Sequence, residues 1–283
     1  MALISGGLDS MAAAVIGAEG PRRAFVAHWD NPTVKGSQDR VWNWLKDVPG
    51  IDSEYRQVRI AETAKKREES TRSRSLLFFA LAVALATASG CGEVEVPENG
   101  FTSLNPSLGN NRGGVLSTRS THPWTIRQVQ QVLNALGLEV HLQNPYELVT
   151  KGELVALANR NSSFSEGVPF TLSCGKMDGR LYRGGNPNYN CGLCVACLTR
   201  RGSLLAAGVL DETQYLMDTV KAESMPYLTE RRAADVLAVR SAAEKDIDQF
   251  TLLAQGPFPD EYDLSEAAEL CKRGLAELAR ALP

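Results

Sequence analysis

Ser5-Gly6-Gly7-Leu8-Asp9-Ser10 is the stretch on which the reading of this chain turns. Ahead of it, Ala2-Leu3-Ile4 reads as a short buried strand. Behind it, Met11-Ala12-Ala13-Ala14-Val15-Ile16 reads as a helix of strongly helix-favouring residues. A strand, a tight Ser/Gly turn and a helix N-terminus together make an anion site. Glycine lets the backbone approach the anion, and the unpaired N–H groups of the first helical turn point at it. The helix dipole adds about 0.3–1 kcal/mol of preference for negative charge. An ordinary glycine turn between strand and helix is the competing reading. Two commoner nucleotide loops are absent: Gly175-Lys176 is followed by Met177 rather than Ser or Thr, and no G-x-G-x-x-G run occurs.

With 283 residues, the chain has room for one α/β domain plus an extension, or for two small domains. Its 43% hydrophobic and 22% charged content is ordinary for a globular protein. A net charge of -3 offers no electrostatic footprint for nucleic acid. The longest apolar run, Leu76 to Ala86, falls short of the roughly 18 residues of a membrane span. No signal-peptide pattern precedes the loop, so a cytoplasmic protein without nucleic-acid or membrane partners is expected. A first strand of only three residues points to a chain shortened upstream or started late.

Along the chain, Ala24 to Trp29 and Glu54 to Ile60 read as strands. Ser37 to Val48 reads as a helix with Val41, Leu45 and Val48 on one face, and Gly20-Pro21 closes the helix before it. Leu76 to Ala86 is apolar nearly all round, which predicts a central, buried helix. Val94 to Val96 is a strand leading into Pro97-Glu98-Asn99-Gly100. Phe101 to Pro123 is a long irregular stretch, of the kind that tends to be functional or disordered. Pro123 to Leu136 is a helix, Glu139 to Leu142 a strand, and Thr150-Lys151-Gly152-Glu153 has capping-box spacing. Alternating strands and helices predict an α/β fold, a doubly wound and mainly parallel sheet with helices on both faces. Ligands bind such sheets beyond the carboxyl ends of the strands.

Six cysteines are present. Cys91 and Cys271 read as small buried apolar residues. Cys174 and the Cys191-x-x-Cys194-x-x-Cys197 run have the spacing of a tetrahedral Zn²⁺ site, with an iron–sulfur cluster as the other reading. Such a metal would order the polar segment Gly175 to Asn190.

The opening hexapeptide resembles the SGGxDS loop of the PP-loop ATP pyrophosphatases. Together with Arg74-Ser75-Leu76-Leu77-Phe78, Thr150-Lys151-x-Glu153, Ser173-Cys174 and Cys191-Gly192-x-Cys194-x-x-Cys197-x-x-Arg200, it is similar to the 7-cyano-7-deazaguanine synthases, the QueC family, over roughly residues 1–210. The resemblance implies a PP-loop domain (1–212) with a zinc segment (174–197), often dimeric. It also implies a ligase that uses ATP and Mg²⁺ to convert the carboxylate of 7-carboxy-7-deazaguanine to an acyl-adenylate, which ammonia then attacks. Three stretches depart from the synthases: Trp29 to Gln38, Ser75, and Glu98-Asn99-Gly100-x-x-Ser103-Leu104-Asn105-Pro106 with Ser117-Thr118-Arg119-Ser120-Thr121-His122-Pro123. The last of these, the irregular loop, looks more like the QueC-like proteins of anti-phage operons, in which the acceptor is a protein amine. A catalytically silent nucleotide-binding module is the remaining reading.

On this resemblance the backbone and hydroxyls of Ser5, Gly6, Gly7, Leu8, Asp9 and Ser10 hold the β/γ phosphates. Asp9 orients the turn or helps hold Mg²⁺, Arg74 stabilises charge near the α-phosphate or substrate carboxylate, and Lys151 reaches the phosphates. A lysine at a helix start opposes the dipole, which argues for a functional reason. Glu98 and Asn99 pair with the guanine-like edge, and Arg119 and His122 hold the substrate. Arg200 is expected to neutralise the zinc–thiolate group. Residues 213–283 read as a helical extension, with helices over Glu230 to Phe250 and Asp263 to Ala281, serving as a cap, a dimer surface or a dock for a protein substrate.

Overall fold

The computed structural model describes residues 1–20, 23–60, 74–109 and 119–282. Pro21 and Ser117-Thr118, named above, lie outside the described residues. Strands β1 (Ala2–Leu3), β2 (Ala24–His28), β3 (Glu54–Val58), β4 (Glu93–Glu95) and β5 (His141–Gln143) form one sheet in the order β3-β2-β1-β4-β5, every pair parallel. Helices α1 (Leu8–Ile16) and α2 (Pro32–Leu45) follow β1 and β2, and α3 (Arg74–Ala88) precedes β4. Helices α4 (Gly100–Leu104) and α5 (Pro123–Ala135) lie between β4 and β5. Downstream come α6 (Lys151–Ala158), α7 (Phe164–Gly167), α8 (Val195–Ala206), α9 (Leu216–Thr219), α10 (Met225–Ala243), α11 (Gln249–Gln255) and α12 (Leu264–Ala279).

Period-two alternation divides the strand side chains between two cores. Ala2, Ile4, Phe25 and Ala27 pack with α1, α2 and α6, whereas Leu3, Val26, Val94 and Leu142 pack with α3 and α5. The first two crossovers therefore cover one face and the later ones the other, and the direction of winding reverses between β1 and β4. Parallel doubly wound sheets open a crevice beyond the carboxyl ends of the strands at such a reversal. The Ser5 turn after β1 and the Pro97-Glu98 turn after β4 flank it.

Several sequence expectations shift. Helix α1 starts at Leu8, not Met11, which puts Asp9 and Ser10 in its first turn. Helix α2 starts at Pro32 rather than Ser37. Asn31 is its N-cap, its side chain accepting from the Val34 N–H at 3.0 Å, and Pro32 has the preset φ of a first helical residue. The expected all-round burial of α3 is not found. Phe79, Ala82, Val83 and Ala86 face the sheet, while Leu76 is 49% exposed. The stretch after Gly100 is not irregular from its start either, because Asn99 caps α4 there.

The expected helix over Glu230 to Phe250 is two helices. Chain between them runs to Asp248, whose side chain accepts from the Thr251 N–H at 2.7 Å and starts α11. Helices α10 and α12 share a core with α4 and α8, in which Phe101, Leu104, Val195 and Leu198 meet Val239, Leu270, Leu275 and Leu278. No helix among the described residues is long and apolar enough to cross a membrane.

Candidate active site

Residues 5–10 form a turn tied into the core from three sides. Gly6 adopts φ +80°, and a Cβ there would lie 2.7 Å from Ser37 Oγ and 2.9 Å from the Gln38 nitrogen of α2. Only glycine combines that backbone conformation with so close an approach. The Gly6 carbonyl accepts from the Leu172 N–H at 2.9 Å, and the Leu8 N–H points at Ser173 Oγ at 3.5 Å. Ser10 Oγ accepts from the Ser5 N–H at 3.1 Å and lies 3.1 Å from both the Gly7 carbonyl and Ser5 Oγ. The two serine hydroxyls thus brace the turn, while Leu8 contributes its side chain to the core.

Beneath the turn sits a buried charge cluster. Lys151, the first residue of α6, makes an ion pair with Asp9 Oδ1. Asp9 Oδ2 accepts from the Asn99 side-chain amide at 2.6 Å and from the Asn99 N–H at 3.1 Å. Burial works to raise the Asp9 pKa, but the Lys151 charge and the hydrogen bonds from Glu98, Lys151 and Asn99 outweigh it and hold Asp9 ionised below its ordinary range. The Glu98 carboxyl goes the other way. Burial and the adjacent Asp9 charge push it well above the usual value, so it carries the proton that the two carboxyls share. Asn144 fixes the Glu98 backbone, its amide donating to the Glu98 carbonyl at 2.8 Å and its oxygen accepting from the Glu98 N–H at 3.3 Å. Asn99 is committed to Asp9 and to Thr102 Oγ1 at 2.8 Å, a capping role that leaves no amide face for a substrate base.

These groups line one cleft with two lobes of ≈580 Å³ and ≈330 Å³, the volume range of small-molecule sites. Ser5, Arg74, Phe78, Glu98, Cys174 and Met177 border both lobes, and Asp9 and Lys151 floor the smaller one. Arg74 stands at the mouth, 41% exposed, paired with Asp30 at 2.9 Å. The cleft thus holds two ion pairs, Arg74 with Asp30 at its mouth and Lys151 with Asp9 at its floor, beside the first turn of α1.

Cys174, Cys191, Cys194 and Cys197 are buried with all four sulfurs within 4.8 Å of one another. The Cys174–Cys194 and Cys191–Cys197 separations are 3.9 and 3.8 Å. A tetrahedral ion with metal–sulfur bonds of about 2.3 Å needs sulfurs about 3.8 Å apart, so the donor set fits a single ion such as zinc. An iron–sulfur cluster, whose thiolates bind different irons, needs a wider set. The closeness of the four sulfurs pushes Cys191 and Cys194 below the ordinary thiol range and Cys174 above it, with Arg232 adding to the shift at Cys191. Burial, and then the same closeness, pushes Cys197 above that range.

The group is joined to the cleft through Thr171 to Cys174. Leu172 and Ser173 touch the Ser5–Ser10 turn, and Cys174 lines the cleft. Asn190 holds this strap straight, accepting from the Ser173 N–H at 2.9 Å and donating to the Thr171 carbonyl at 3.2 Å.

Three expected roles move. Arg200 makes its hydrogen bonds to Thr171, Ser173, Val168 and Thr213 and so braces the strap instead of neutralising the thiolates. That neutralising role falls to Arg232 of α10, 1% exposed, which donates to Cys191 Sγ at 3.4 Å and pairs with Asp178. No spacing pattern could link a residue so distant in sequence to the cysteines. His122 is buried against Phe258, ring centroids 4.7 Å apart, and its Nδ1 caps α5 by accepting from the Trp124 N–H at 3.2 Å. It does not border the cleft. Arg119 lies against Gly256 and carries the Thr125 hydroxyl on its carbonyl at 2.7 Å, whereas its neighbours Ser120 and Thr121 reach the cleft.

No family model matches this chain, and no curated protein matches it.

Proposed function

We propose that this chain is a PP-loop ATP pyrophosphatase of the QueC type, which adenylates the carboxylate of 7-carboxy-7-deazaguanine and passes the acyl group to an amine. The observation that carries the reading is the cleft at the reversal of sheet winding, where the Ser5–Ser10 turn, the buried Asp9–Lys151 pair and Arg74 converge. In this reading the substrate carboxylate oxygen attacks the α-phosphorus, the bond to the β-phosphate oxygen breaks, and pyrophosphate leaves with its electrons. The amine nitrogen then attacks the acyl carbon, AMP departs, and the nitrogen loses a proton to solvent.

Phosphoryl chemistry of this kind asks for positioning and positive charge more than for acid–base groups. The first turn of α1 and Lys151 serve the β/γ phosphates, and Arg74 leaves Asp30 for the α-phosphate or the carboxylate. Asp9, and Glu98 after losing its proton to the ion, are the carboxyls that would hold Mg²⁺ alongside the phosphates, where it would neutralise charge on the leaving group. Zn²⁺ in the four-cysteine group would add folding energy to the strap that shapes the cleft.

A protein amine is the preferred acceptor, as in the anti-phage branch, because the departures at residues 29–38 and 98–123 set the chain apart from the ammonia-using synthases. Incubation with ATP, Mg²⁺ and 7-carboxy-7-deazaguanine, with and without ammonia, followed by mass spectrometry, tests this. AMP and pyrophosphate in equal amounts are expected. Their absence under every condition rejects adenylation, and a free nitrile transfers the assignment to the synthases.

A further inference from the structure

Lys151 is a cation in an unfavourable place at the start of α6, and the turn that carries it is held by a distant part of the chain. A cation at a helix N-terminus is opposed by the dipole, and this one is also buried. Asp9 offsets one side of the charge. On the other side, Glu277 of α12 reaches across 125 residues, its Oε2 accepting from the Gly152 N–H at 2.8 Å and its Oε1 accepting from the Thr150 hydroxyl. The capping box adds two more bonds, the Glu153 N–H to Thr150 Oγ1 at 3.1 Å and the Thr150 N–H to Glu153 Oε2 at 2.8 Å. Arg273, one turn back on α12, donates to Glu153 Oε1 at 2.7 Å. Lys151 is thus paired with Asp9 at the phosphate turn, while the residues on either side of it are held by a carboxyl group from the tail.

The approach of Glu277 is built in. A Cβ on Gly152 would fall 2.5 Å from Glu277 Oε1, and one on Gly202 of α8 would collide with the Glu277 carbonyl. Burial raises the Glu277 pKa against the opposing effect of the Thr150 and Gly152 hydrogen bonds. A half-buried carboxyl held against Gly152, on a residue whose backbone is held against Gly202, is placed for the contact it makes.

We propose that Glu277 is a positioning residue for Lys151: it clamps the start of α6 so that the ammonium stays on Asp9, and thereby makes the C-terminal helix part of the phosphate site. This rests on the reading of Lys151 as a phosphate-site cation, and the test separates the two. Glu277→Ala and Glu277→Gln are compared with the full-length parent by amine-selective labelling and peptide mass spectrometry, with the melting temperature as a measure of global structure. In the parent, Lys151 labels slowly because it is buried and paired. Glu277→Ala is expected to raise its labelling rate at least fivefold relative to the other lysines.

Gln can accept from Gly152 and donate to Thr150, so Glu277→Gln is expected to restore most of the protection. That rescue would not follow if the contact worked through the negative charge of Glu277 rather than through its hydrogen bonds. It also gives a folded variant should the alanine protein fail to fold, and in that case Lys151 labelling within twofold of the parent supports the clamp. Unchanged labelling in folded Glu277→Ala, or labelling of Lys151 in Glu277→Gln as fast as that of exposed lysines, overturns the proposal. In a nucleotide assay the clamp predicts at least a tenfold lower kcat for AMP release in Glu277→Ala, with KM for the acid within twofold. A parent protein that makes no AMP overturns the adenylation reading, while the labelling result still decides the role of Glu277.

Discussion

Lys151 and Asp9 show how little a single buried charge can be changed in isolation. Removing the cation in Lys151→Met leaves Asp9 buried and unpaired, which costs about 3–5 kcal/mol. The double variant Asp9→Asn with Lys151→Met removes both charges and should recover most of that loss, while AMP formation stays at least a hundredfold down. Urea titration and a nucleotide assay on the same three proteins check both halves.

His122 carries a separate prediction. Burial first, and the Arg119 charge second, lower its pKa from 6.5 to about 4. A histidine held neutral in the fold takes up its proton more readily when unfolded, so its contribution is complete above pH 6.5 and is lost as pH falls towards 4. The gap corresponds to about 3 kcal/mol. Unfolding free energies measured between pH 7 and 4 should therefore fall, and His122→Asn, which can still accept from the Trp124 N–H, should flatten that slope.

Among the elements, α12 is seated through glycine contacts. Gly274 packs directly on the Phe101 ring and Gly100 on Glu147 and Leu270, so no side chain fits at either position. Gly274→Ala forces the helix off α4 and should cost about 1–3 kcal/mol in urea denaturation, despite the better helix propensity of alanine. Helix α10 bears on the cysteine group. With a divalent ion in the group, Arg232 would reduce the net negative charge of four thiolates, and it orients Cys191 through its N–H. Arg232→Met should release bound zinc to a chelator about tenfold faster than the parent. An unchanged release rate would mean that the contact is packing alone.

These contacts lie at large sequence separation, which is why they could not be read from the chain. The capping box at Thr150 and the start of α5 at Pro123 were legible because their signals are local. The start of α2 is equally local, in an Asn31 N-cap followed by Pro32 at the first helical position.

For the whole molecule, residues 213–282 do more than extend the sheet domain. They cover Phe101, Leu104, Val195 and Leu198, supply Arg232 to the thiolates and bring Glu277 to α6. A chain ending at residue 212 would expose that core, bare one side of the cysteine group and leave the Gly152 N–H without its carboxylate. Its expected behaviour is aggregation, or loss of a cooperative thermal transition, in calorimetry. A soluble, cooperatively melting 1–212 fragment would show that the tail is dispensable for folding.

By itself the amino-acid sequence determined the local geometry: a glycine turn between strand and helix, the alternation that builds a doubly wound parallel sheet, and four cysteines at metal-binding spacing. Each depends on neighbours within a few positions, where backbone sterics and hydrogen-bond reach set the outcome. Only the tertiary structure decided which charges meet. It set Lys151 on Asp9, gave the proton to Glu98, assigned the thiolates to Arg232 rather than Arg200, and turned Asn99 and His122 into helix caps. Burial and pairing arise when distant segments pack, and the energy of a buried charge is set by those partners.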